Sequence, residues 1–124
     1  MRREQFERLV AEALDDLPAA FAEKMSNIEL VIDDWPTKAQ MRRAGVRPKG
    51  LILGLYEGVP LTRRDRGYQM VLPDKITIFQ RPIEAVCRSE EEIRTLVRET
   101  VMHEIAHHFG IDDARLRELK RGHG

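Results

Sequence analysis

The residues best able to do chemistry stand together between Val101 and Asp113, in V-M-H-E-I-A-H-H-F-G-I-D-D. His103 and His107 are four apart, and a helix advances about 100° per residue, so both imidazoles lie on one face, one turn above the other. One ion can meet both. Glu104 projects beside that face, where its carboxylate can take a proton from water at the ion. The chemistry that this H-E-x-x-H arrangement points to is metal-assisted hydrolysis, with zinc as the ion. Two ligands are too few, so a third must come from elsewhere in the chain.

Asp113 is the candidate third ligand. Were the helix to continue, Asp113 would stand about 15 Å along its axis from His103, out of reach of a shared ion. The helix must therefore stop. Gly110, three residues after His107 and three before Asp113, is the residue type that enters a left-handed cap without steric cost and swings the chain back toward the histidines. His108 lies about 100° round the helix from His107 and is expected to support the site or join the core, not to bind the ion. His123 falls in the C-terminal tail, where fraying is the default.

The string H-E-I-A-H-H-F-G-I-D-D resembles the zinc-binding signature of the metzincin-type zincins, in the variant with Asp in the third position. Around it, G-L-Y-E-G-V-P-L at 54–61, L-P-D-K-I-T-I-F at 72–79 and D-D-A-R-L-R-E-L at 112–119 are similar to the small bacterial zincin-like metallopeptidase family. The likeness covers most of the chain after about Leu51 and, more loosely, the first helix. It implies a minimal zincin-like fold in which His103, His107 and Asp113 hold Zn2+ and Glu104 is the general base for peptide-bond hydrolysis. It also implies a peptide or protein substrate bound along an edge strand just before the active-site helix, in the region of Tyr68 to Leu72 and Lys75 to Gln80. The larger metzincins have a methionine-containing turn after the third ligand, and no Met follows Asp113 here.

Two other classes share parts of this pattern. The bacterial endoribonucleases that mature ribosomal RNA carry three histidines at the positions equivalent to His103, His107 and Asp113, but Gly where this chain has Glu104. The carboxylate separates the two readings, since only the hydrolase with a general base needs it. A metal-stabilised binding module without catalysis is the third reading, and the missing Met-turn is consistent with it.

A chain of 124 residues with 42% hydrophobic residues is the size and composition of one domain, spanning 1–124. Lys plus Arg and Asp plus Glu are both 21, so net charge gives no reason to expect nucleic acid or a membrane surface. Cys87 is the only cysteine, which rules out an intrachain disulfide or a thiolate metal cluster and favours a reducing compartment. The first residues lead into Glu4, Glu7, Glu12, Asp15 and Asp16, not into an apolar signal core. The longest apolar run, Leu51 to Tyr56, is far shorter than the roughly 20 residues that span a bilayer. A cytoplasmic, monomeric protein is the expectation.

The remaining elements must position that motif. Phe6, Leu9, Val10, Ala13, Leu14 and Leu17 recur at helical spacing, which predicts an amphipathic helix ending near Pro18, with a short helical turn over 18–25. Ile28 to Ile32 is the first strand. Asp33 and Asp34, where that strand meets Trp35-Pro36, read as turn residues and not as a catalytic carboxylate pair. Lys38, Arg42, Arg43, Arg47 and Lys49 read as solvated surface, and could become a nucleic-acid patch only if Arg63, Arg64 and Arg66 continued it in space.

Leu51 to Tyr56 predicts a strand buried on both faces, in the sheet interior. Residues 57 to 67 predict a loop, and Tyr68 to Leu72 with Lys75 to Gln80 a pair of short strands. Ser89 with Glu92 predicts a capping box opening a helix that runs to about Phe109 on an apolar face of Ile93, Leu96, Val97, Thr100, Val101 and Ile105. Asp112 caps a last helix with Leu116 and Leu119 inward. The architecture expected is α/β (α+β), a small mixed sheet of three or four strands packed on the active-site helix with the N-terminal helix beside it.

Overall fold

Phe6, Leu9, Val10 and Ala13 recur every three or four residues and are all buried, which makes one side of helix α1 (Arg3–Asp15) a core surface. The same logic sets the long helix α5 (Glu90–His108), which buries Ile93, Val97, Val101, Met102, Ile105 and Ala106. Between them come α2 (Ala19–Met25), β1 (Ile28–Asp33), α3 (Lys38–Arg43), β2 (Gly54–Glu57), β3 (Asp74–Phe79) and α4 (Gln80–Val86), and α6 (Asp113–Arg121) follows α5. The computed structural model describes residues 1–45, 52–58 and 73–121, and within them every side chain but those of Asp113 and Arg121. The predicted strand Tyr68–Leu72, the loop arginines 63, 64 and 66, and His123 lie outside the described residues. Among the described residues, no helix is long and apolar enough to cross a membrane.

The three strands form a mixed sheet in the order β1-β3-β2, with β1 parallel and β2 antiparallel to β3. Side chains alternate across it. Ile28, Leu30 and Ile32 of β1 stand level with Asp74, Ile76 and Ile78 of β3, and Gly54 and Tyr56 of β2 with Ile78 and Ile76. That face packs on α1 and α5, where Phe6, Leu9, Ile76, Ile78, Val97, Val101 and Ile105 form one core. On the other face Leu55 and Phe79 meet Ile52 and Met41 of α3, a smaller second cluster. The expected α+β architecture of three or four strands is therefore the one observed.

Three local expectations are corrected. The run ending at Tyr56 has its faces covered, but its strand β2 is at the edge of the described sheet, because apolar residues report covered faces and carry no information about which backbone edge is paired. Conversely, β3, in the region where the resemblance puts an edge strand for the substrate, is the central strand of the described sheet. Gln80, read as the end of that strand, opens α4, whose Pro82 sits in a first turn, where no intrahelical N–H is lost. The Ser89 cap is present, its Oγ accepting from Glu92 N at 3.1 Å, but Glu92 returns its carboxylate to Arg88 N at 2.9 Å, one residue before the cap.

Candidate metal centre

The last two turns of α5 divide sharply by side. Met102, Ile105 and Ala106 are buried, whereas His103 and His107 are exposed and Glu104 is half-buried between the two zones. The two imidazole centres are 5.8 Å apart with planes 28° from parallel. Nitrogens about 2.0–2.1 Å from a tetrahedral zinc would put two ring centres about 5 Å apart. The spacing of the two rings is thus close to that of a pair sharing one ion.

Past His107 the helix ends as the spacing requires. Gly110 has φ +69, Ile111 N donates to Ala106 O at 2.8 Å and Gly110 N to His107 O at 3.4 Å, so the two crossed bonds of a Schellman cap close the helix. A Cβ on Gly110 would meet nothing within 4 Å, so the demand for glycine there comes from the backbone angle and not from crowding. The chain then doubles back along α5. Asp112 Oδ1 accepts from Arg115 N at 2.8 Å to cap α6, Leu116 enters the core, and Lys120 pairs with Glu99 two turns before His107. Asp113 is the first residue of this returning helix, and its side chain lies outside the described residues. Among the described residues, no three His, Cys, Asp or Glu side chains are gathered closely enough to hold a metal ion.

Strand β2 runs beside these turns in step with them. A Cβ on Gly54 would stand 2.8 Å from Thr100 Cγ2 and 3.1 Å from Thr77 O, so only glycine lets helix and strand approach this closely. Two residues on, Tyr56 N donates to Glu104 Oε1 at 3.0 Å. Two further, Gly58 faces His108, whose Cε1 would lie 3.6 Å from an added Cβ. Two strand residues rise about 6.6 Å and four helix residues about 6 Å, so the pairs 54 with 100, 56 with 104 and 58 with 108 stay in register.

His108 is neither a core residue nor paired with His107. It stacks on the Tyr56 ring at 3.9 Å and 16°, while the phenol of Tyr56 donates to Asp74 Oδ2 at 2.7 Å. Phe109, half-exposed, sits edge-on to both rings, with Lys24 of α2 over its face at 4.4 Å. Sequence reasoning found the helix residues and missed Tyr56 and Asp74. The usable signal was the alternation Gly54-x-Tyr56-x-Gly58, which places one large residue between two small ones on a single face.

Asp33 and Asp34 do not contribute to this site. Asp34 pairs with Arg3 at 2.7 Å and with Arg81 at 3.5 Å, fastening the start of α1 to the end of β1. No curated protein matches the chain. A family model described as zincin-like metallopeptidase matches residues 25–123, a span that holds all three strands and every residue of the motif, and the chain belongs to that family.

Proposed function

We propose that the chain is a zinc-dependent peptidase in which His103, His107 and Asp113 hold the metal and Glu104 is the general base. Family membership supports a metallopeptidase in general, with a divalent metal, typically zinc. The observation that carries the finer reading is the joint placement of two exposed imidazoles on one helix face and a carboxylate held beside them by the backbone of β2. Zinc when bound supplies Lewis acidity, lowering the pKa of water toward neutrality and polarising a carbonyl. Glu104, with Oε1 anchored at Tyr56 N, takes the proton of the attacking water through Oε2 and passes it to the departing amine.

The strand that anchors Glu104 also suits a peptide. Phe79 N donates to Leu53 O at 2.9 Å, so the alternate residues Gly54 and Tyr56 turn their N–H and C=O groups away from β3. Among the described residues no strand pairs with that side of β2. The Tyr56 N–H is taken by Glu104, so an extended peptide laid along this side would gain its main-chain hydrogen bonds at Gly54. The proposed partner is accordingly a peptide or protein chain, with no nucleic acid or membrane. The proposed setting is a monomer acting in the cytoplasm, a reducing compartment that suits a chain with a single cysteine.

Zinc-loaded wild type and Glu104→Gln, assayed in parallel on a peptide library and on structured RNA, test this. Peptide cleavage by wild type, reduced by a factor of about 10² or more in Glu104→Gln with zinc content unchanged, is the expected result. Equal cleavage by the two proteins would remove Glu104 from the mechanism. Cleavage of RNA alone would favour the nuclease reading, and cleavage of neither the metal-stabilised binding module.

A further inference from the structure

Tyr56 touches three separate parts of the site at once. Its N–H holds Glu104 at 3.0 Å, its ring lies on His108 at 3.9 Å, and its hydroxyl is bonded to Asp74 at 2.7 Å. Asp74 is the first residue of the central strand β3, whereas His108 is the last residue of α5, directly after His107. The Gly110 cap satisfies the carbonyls of Ala106 and His107 and closes the backbone of that last turn, but it fixes none of the turn's side chains. That turn carries His107, an exposed side chain whose ring contact is with His103, itself exposed.

We propose that Tyr56 is a positioning residue for the metal centre: stacked on His108 and fixed to β3 through Asp74, it holds the last turn of α5 in the geometry that presents His107 to the ion. This rests on the reading of His103 and His107 as ligands. The strand reaches the metal site through a ring and not through a ligand of its own, and the ring is immobilised at both ends. A near-parallel stack at 3.9 Å is a close contact between flat faces, so it restrains both tilt and translation of the imidazole. Residues that support ligands without binding the ion typically change metal affinity by about 10- to 100-fold when lost.

The test is a double-mutant cycle in zinc affinity, measured on the full chain by competition with a chelator, with circular dichroism to confirm folding. Tyr56→Leu keeps an apolar side chain on the sheet and removes the stack. His108→Ala removes the other half of the stack from an exposed position, and so leaves the core untouched. Each is expected to weaken zinc binding by about tenfold, and the double variant by no more than the weaker single, because both delete one contact. Tyr56→Phe, which retains the ring but loses its bond to Asp74, is expected to weaken zinc binding by less than Tyr56→Leu does, and a loss as large as that of Tyr56→Leu would overturn the role of the stack.

Losses that multiply in the double variant, or single variants that bind zinc as wild type does, would overturn the positioning role while leaving the ligands as assigned. Full zinc affinity in the control His103→Ala would overturn the ligand assignment, and this inference with it.

Discussion

Two polar clusters sit at opposite ends of β3, and they differ in what their groups face. Beyond its C-terminal end, Arg3 reaches Gln80 Oε1, Ile32 O and Asp34 Oδ1, while Glu84 accepts from Gln80 and Arg81 and lies 3.7 Å from the Met1 ammonium. Every charge there meets a protein partner, and Gln80 is fully buried. Beside its N-terminal end the arrangement differs: His103 and His107 turn outward, while Glu104 and Asp74 are tied back to the N–H and the hydroxyl of Tyr56. Density of ionisable residues therefore does not mark a site in this molecule. What distinguishes the second cluster is that its nitrogens are presented to solvent by a helix whose other side is locked into the core.

Changes that exchange these two behaviours give the largest effects. His103→Ala or His107→Ala is expected to abolish tight zinc binding, while Asp34→Ala, which disturbs the other cluster, leaves zinc content unchanged. Elemental analysis of the purified variants decides this. Loss of the metal need not unfold the chain, because the core around Phe6, Ile76 and Val101 is complete without it.

A smaller effect is expected at the helix end. Gly110→Ala must hold a Cβ at φ +69, at a cost of about 1 kcal/mol or more, and it loosens the turn that returns the chain past His107. Thermal melts and zinc affinity should both fall. Unchanged values in both would mean that the turn does not place Asp113.

The smallest effect belongs to the structural cluster and appears only in acid. Burial by itself would push the Glu84 carboxyl up. The hydrogen bonds from Gln80 and Arg81, with the charges of the N-terminal ammonium and Arg81, outweigh it and hold the carboxyl below the usual glutamate range. A carboxyl lowered by folding contributes stability that is complete above its unfolded pKa and is lost as pH falls through the folded value. Stability measured from neutral pH into acid should thus decline less steeply in Glu84→Gln than in wild type. Parallel declines would show that this carboxylate is not coupled to folding.

Much of the candidate site could be proposed from the sequence because its requirements are local. His103, Glu104 and His107 need only helical periodicity, and Gly110 needs only the rule that a left-handed cap favours glycine; the observed cap agrees with that expectation. The two main helices followed from apolar spacing for the same reason. Tyr56 was illegible as a site residue because its contact with Glu104 joins positions 48 apart in the chain, across a strand pairing that no periodicity encodes. The same limit left the place of β2 at the edge of the described sheet unread. Helix α4 was missed because seven residues containing Pro82 offer less than two full turns of apolar repeat.

The most direct test of the metal centre is anomalous diffraction at the zinc edge from crystals of the zinc-loaded chain. One peak is expected, within about 2.0–2.2 Å of a ring nitrogen of His103, a ring nitrogen of His107 and a carboxylate oxygen of Asp113, with Glu104 outside bonding distance. A peak elsewhere on the molecule, or one bonded through Glu104 with either histidine turned away, would contradict it.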